Sequence, residues 1–179
     1  RRRPVTNKTY STESLGGYIY PSLGIGSGSV CVDGAITNWI TGIIQSQYVG
    51  LVRAGVRIKV GARADLRVRW TLEHDRRFVV GQRVVATIPP KVVRVECGIF
   101  RRSKQRWNRW VGRIVLVEHA ERGIVYTVKV HGEEWTIKSY GPVEGARQPS
   151  KPWDVVNVVV DPQAVDLSIA ATCVVFRNA

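Results

Sequence analysis

The sequence predicts an all-β chain arranged as two tandem small barrels packed together, with a single jelly-roll β-sandwich as the alternative. Three observations lead there. Valine fills 30 of 179 positions and, with Ile, Thr, Trp and Tyr, gives a strongly β-favouring composition. Apolar and basic residues alternate in Val56-Arg57-Ile58-Lys59-Val60 and in Leu66-Arg67-Val68-Arg69-Trp70-Thr71-Leu72, which puts one set on a core face and the other in water. A motif also recurs about seventy residues along the chain.

The elements follow in order. Residues 1–34 are rich in Gly, Ser, Thr and Tyr and read as an extended arm or linker opened by Arg1, Arg2 and Arg3; the run Gly24 to Ser29 is part of it. Residues 35–98 form the first barrel repeat, 99–105 a basic linker, and 106–179 the second repeat with a C-terminal strand from Leu167 to Phe176. Ten to twelve short strands are expected. The best helical stretch, 45–54, is short and poorly capped.

The repeat is specific in its spacing. Asn38-Trp39-Ile40-Thr41-Gly42-Ile43-Ile44 matches Asn108-Arg109-Trp110-Val111-Gly112-Arg113-Ile114, both reading Asn-x-x-x-Gly-x-Ile at an offset of 70. The segment from Gly81 to Val95 matches that from Trp153 to Leu167 at an offset of 72, with Pro90 and Pro162 aligned. In each copy the Asn is expected to set a local turn, and the Gly to permit a bend or close approach. A turn at Phe78–Gly81 or Lys151–Asp154 then leads into a hydrophobic strand, which the Pro ends by removing a ladder donor. Units of this size suit OB-like barrels, which bury little alone and favour packing in pairs.

Charge and composition exclude several classes. The net charge is +13, from 27 Lys and Arg against 14 Asp and Glu, and 44% hydrophobic content rules out a disordered basic tail. The charge is greatest on 35–98, with 11 basic and 4 acidic residues. Arg57, Lys59, Arg67 and Arg69 read as outer-face residues that keep a sheet soluble, or as a polyanion-binding face. No apolar run approaches the roughly 20 residues of a membrane helix, and the opening Arg1-Arg2-Arg3-Pro4 is not expected to be a signal peptide. The absence of Met marks a processed product or a segment of something longer. Cys31, Cys97 and Cys173 are dispersed and expected as buried small hydrophobes; His74, His119 and His131 lie apart, so no metal site is expected. No phosphate loop, nucleophile elbow or spaced carboxylate pair occurs, so neither a cofactor nor catalysis is expected; Glu133-Glu134 reads as a solvated hairpin turn.

One stretch stands out for binding. Arg101, Arg102, Lys104, Arg106, Trp107, Arg109 and Arg113 combine phosphate-neutralising cations with an aromatic face for unpaired bases. A basic linker, with Trp107 and Trp110 packed between barrels, explains the same residues.

The two repeats resemble the TOBE domain, the OB-type module paired at the C-terminus of many ABC-transporter ATPase subunits, and are similar to the Mop-type molybdate-binding module. Asn38, Gly42, Ile44, Gly81, Pro90 and Val95 carry the resemblance in the first copy, and Asn108, Gly112, Ile114, Pro162 and Leu167 in the second. It implies a non-catalytic regulatory or ligand-sensing region of a cytoplasmic importer ATPase, in a homo-oligomer or transporter assembly. Three departures qualify it. Pro89 and Asp161 stand where the oxyanion-binding modules carry a Lys, Thr37-Asn38 only partly matches their Arg-Asn opening, and Trp153 replaces the usual turn Gly. Oxyanion binding is therefore not expected. Two other functions fit the composition: a viral capsid protein whose N-terminal arm binds nucleic acid, and a single-stranded nucleic-acid-binding OB-type protein.

Overall fold

Among the described residues, alternation becomes eleven strands and two short 3₁₀ turns. The strands are β1 (Ser27–Val32), β2 (Ala35–Val49), β3 (Arg53–Lys59), β4 (Asp65–Thr71), β5 (Arg83–Ile88), β6 (Val93–Glu96), β7 (Asn108–Ala120), β8 (Gly123–Val130), β9 (Thr136–Tyr140), β10 (Val155–Val160) and β11 (Asp166–Ile169). The 3₁₀ turns are Pro90–Val92 and Pro162–Ala164. The computed structural model describes residues 26–32, 35–72, 78–97, 107–121, 123–145 and 150–169. Among them no helix is long and apolar enough to cross a membrane.

The two copies follow one register. Asn38 lies opposite Ile88 and Gly42 opposite Val84 between β2 and β5; Asn108 lies opposite Val160 and Gly112 opposite Val156 between β7 and β10. Each long first strand is broken at the same place, with register shifts between Ile44 and Ser46 and between Ile114 and Leu116. Such a bulge lets a long strand bend and serve two neighbours. The prolines act as expected: β5 and β10 stop at Ile88 and Val160, and Pro90 and Pro162 open the 3₁₀ turns.

The sheets do not separate the copies. One runs β11-β5-β2-β3-β4 with β1 added along β2; the other runs β6-β10-β7-β8-β9. The last strand of each repeat is thus exchanged. β6 pairs with β10, Val93 opposite Val160, and β11 pairs with β5, Leu167 opposite Ala86. The result is two interlocked OB-like half-barrels rather than a jelly roll.

A single apolar core runs through both halves. Ile40, Ile58, Leu66 and Ile88 belong to the same buried cluster as Trp110, Ile114, Val128 and Ile137. Trp110, at the counterpart position of Ile40, packs edge-on against Trp135 with ring centroids 5.2 Å apart, and its indole N–H donates to the Asp65 carbonyl at 3.3 Å. Glycine is required where first strands pass closest to their neighbours. A Cβ on Gly42 would lie 2.7 Å from the Lys59 carbonyl oxygen, and one on Gly112 would lie 2.9 Å from that of Lys129. The close approach, not a bend, is what the motif Gly provides.

Residues 45–54, the best helical period in the sequence, are strand and hairpin, in keeping with the all-β reading. Other expectations change. Ser27–Val32, within the segment expected as arm or linker, pairs antiparallel with β2, Ser27 opposite Ile40. Cys31 is exposed rather than buried, because it lies on that added strand. Trp153 adopts the left-handed conformation that Gly81 adopts in the first copy, with φ of 79° against 87°.

Candidate functional site

The motif asparagines do not set local turns. Both are buried, and each bridges to the free edge of the other sheet. Asn38 Nδ2 donates to the Lys138 carbonyl at 2.9 Å and its Oδ1 accepts from the Lys138 N–H at 2.8 Å, while Nδ2 also donates to the Ile88 carbonyl at 3.0 Å. Asn108 repeats this with Arg67, accepting its N–H at 2.7 Å and donating to its carbonyl at 2.8 Å. A carboxamide carries one acceptor and two donors, so it mimics a peptide group and extends the ladder past an edge strand. The side chains beyond those edges are thereby held between the repeats.

Glu133 is buried rather than solvated, whereas Glu134 is exposed. The Glu133 carboxylate accepts the N–H groups of Ala62 at 2.9 Å, Arg63 at 2.6 Å and Ala64 at 2.8 Å. Consecutive amides of this kind form an anion nest, and the loop after β3 gives its nest to a carboxylate of the other repeat. A Cβ on Gly61 would overlap that carboxylate, which explains the glycine there. Nothing near Glu133 in sequence marks it, because its partners lie some seventy residues away.

Between edge strand β4 and the second 3₁₀ turn lies a cleft of about 320 Å³, lined by Arg69, Trp70, Thr71, Gln163, Ala164, Val165 and Asp166. It joins one repeat to the other by construction. Trp70 is held edge-on by Phe78 at 5.6 Å. The residues along the cleft include a basic, an amide, a hydroxyl and an aromatic one, with one acidic residue on the 3₁₀ side. Sequence reasoning missed it because it depends on the strand exchange. The residues in place of the oxyanion-site Lys begin the 3₁₀ turns. Pro89 precedes Pro90, and Asp161 accepts the Gln163 N–H at 2.9 Å, so its carboxylate serves as a cap. Neither supplies a cation.

The basic aromatic cluster is only partly visible. Arg101, Arg102, Lys104 and Arg106, like Arg1, Arg2 and Arg3, lie outside the described residues. Trp107 is half-buried beneath the Arg94 guanidinium, 5.2 Å from its ring centroid. Arg109 and Arg113 start along β7, Arg109 half-buried and Arg113 exposed. Among the described residues no group of His, Cys, Asp and Glu is placed to hold a metal ion.

No family model and no curated protein matches this chain. A solved structure does. The cytoplasmic molybdate-binding protein ModG, crystallised with molybdate bound, superposes with a TM-score of 0.63 at 24% identity, over 74% of this chain and 96% of that one. At that identity the likeness shows the fold alone, the OB-like β architecture described above.

Proposed function

We propose that this chain is a non-catalytic ligand-binding module whose ligand is a small organic anion, and that it acts as a regulatory part beside an ATP-driven importer on the cytoplasmic side. The observation that carries the reading is the inter-repeat cleft, where Arg69 supplies a cation beside Trp70, Thr71 and Gln163. The molybdate-binding neighbour supports ligand capture by this architecture. Asp161, which caps the second 3₁₀ turn, and Pro89, which precedes the first, add no cation, so Arg69 is the basic residue of the cleft. Planar carboxylates match the paired donors of a guanidinium, and the indole offers a face for their carbon skeleton.

Calorimetric titration of the full chain with molybdate, sulfate and short di- and tricarboxylates tests this. A carboxylate is expected to bind, and Arg69→Ala to weaken it at least tenfold. Heat from molybdate alone, or from no compound, overturns the ligand class. The importer setting is tested separately, by whether the ligand-loaded chain changes ATP hydrolysis by an importer's ATPase subunit.

A further inference from the structure

The outer face of β2–β4 carries a basic arrangement of which the cleft uses only Arg69. Strand alternation puts Arg53, Arg57 and Lys59 of β3 on that face with Arg67 and Arg69 of β4. Register places Arg57 directly opposite Arg67, and like charges so placed destabilise a sheet. Among the described residues, none of these five side chains makes an ion pair. The one carboxylate on the face, Asp65, lies opposite Lys59 without reaching it. In their midst is an aromatic ring. Tyr48 lies opposite Gly55, and a Cβ on Gly55 would fall 2.5 Å from the Tyr48 hydroxyl and 2.6 Å from the ring carbon bearing it. A Cβ there would also meet the Val68 carbonyl oxygen, so the glycine serves the strand packing as well as the ring, and Tyr48 is 44% exposed.

The second repeat is an internal control. In the shared register Tyr48, Gly55, Arg57 and Arg69 correspond to Glu118, Val125, Thr127 and Tyr140. The lysines of that face have acidic neighbours, Lys138 with Glu118 at 3.2 Å and Lys129 with Glu134 at 3.8 Å. On that face Val125 and Thr127 are buried and the lysines have acidic neighbours, so the exposed ring and the facing arginines of the first repeat are not repeated in the second.

We propose that the outer face of β2–β4 binds single-stranded nucleic acid, with Tyr48 as a platform for one base and Arg53, Arg57, Lys59 and Arg67 along the phosphates. Alternate residues on a strand stand about 7 Å apart, close enough for neighbouring cations to meet successive phosphates of an extended strand. A ring among such cations suits a base, which a polyanion without bases does not offer.

Fluorescence anisotropy of the full chain with a labelled twelve-nucleotide oligothymidine tests the proposal. Contact with about three phosphates should weaken binding about twentyfold between 50 and 200 mM salt. Arg57→Glu is expected to weaken binding at least tenfold, Tyr48→Ala about tenfold, and Lys129→Glu on the other face less than twofold. Unchanged binding by Arg57→Glu overturns the surface. Loss with Arg57→Glu but not with Tyr48→Ala leaves a plain electrostatic patch and overturns the base-stacking assignment, as does a heparin-type polysulfate binding with equal affinity. Circular dichroism confirms that each variant is folded, and Arg53→Gln with Lys59→Gln replaces Arg57→Glu if that variant is not. Arg57 and Tyr48 lie outside the cleft, so carboxylate titration of the same variants separates failure here from failure there.

Discussion

Asn38 and Asn108 show how much a single side chain can decide in this molecule. Each spans a seam between sheets with backbone-like hydrogen bonds, and each is buried. Asn108→Ala removes a donor and an acceptor facing Arg67 and is expected to cost about 2 kcal/mol. Asn38→Ala, which also strands the Ile88 carbonyl, should cost roughly 1 kcal/mol more. Urea titrations with an unchanged slope check both; equal, near-zero losses would show that water replaces the amides without penalty. Trp153 is the opposite case. It is a bulky residue at φ 79°, 70% exposed, in the turn where the first copy has Gly81. Left-handed backbone at a non-glycine residue costs of order 1–3 kcal/mol, partly offset by the chain entropy that a glycine loses on folding. Trp153→Gly should therefore raise stability by about 1 kcal/mol, seen as a higher urea midpoint. A fall instead would mean that the indole makes a contact worth more than the strain.

At the scale of elements, the exchanged strands are the least obvious part of the fold. β11 has four residues and completes the sheet of the other repeat through β5. Leu167 is its buried anchor. Leu167→Asp puts an unpaired carboxylate in that core and should release β11. Hydrogen exchange should then rise in Arg83–Ile88 of the first repeat while Val155–Val160 of the second stays protected; the reverse order would refute the exchange. The strands themselves were legible in sequence, because alternation in 56–60 and 66–72 is a local consequence of one buried face. So were the motif Gly and Pro positions, whose constraints act on the backbone in place. Strand partners were not legible. Val93–Glu96 and Asp166–Ile169 carry too few residues to name their neighbours, and every statement that depends on them was hidden too: the bridging role of the asparagines, the burial of Glu133 and the β4 cleft. The outer-face arginines were legible as outward, but only register shows Arg57 facing Arg67.

At the scale of the whole molecule, exchange and core together mean that neither repeat is a folding unit. The first repeat alone lacks β11 along β5 and the Asn108 amide along β4, and its half of the core faces water. A fragment spanning 26–97 should therefore be unfolded as a monomer. It also carries everything that a second copy would need, since Asn38 can bridge to Arg67 of another copy as it bridges to Lys138 here, and β6 can lie where β11 does. Strand exchange between identical chains is a low-cost route to a dimer. The fragment is expected to gain β-sheet circular dichroism only as it dimerises, with a midpoint that moves with concentration, because folding and association are then one equilibrium. Adding the fragment 107–169 should convert it to a heterodimer, which regains the tight packing of Trp110 on Trp135 with the Asp65 carbonyl as acceptor. Sedimentation and circular dichroism over a hundredfold concentration range decide the matter. A folded, concentration-independent monomer would show that each repeat closes on its own last strand in isolation, and that the interlock forms only when both copies share a chain.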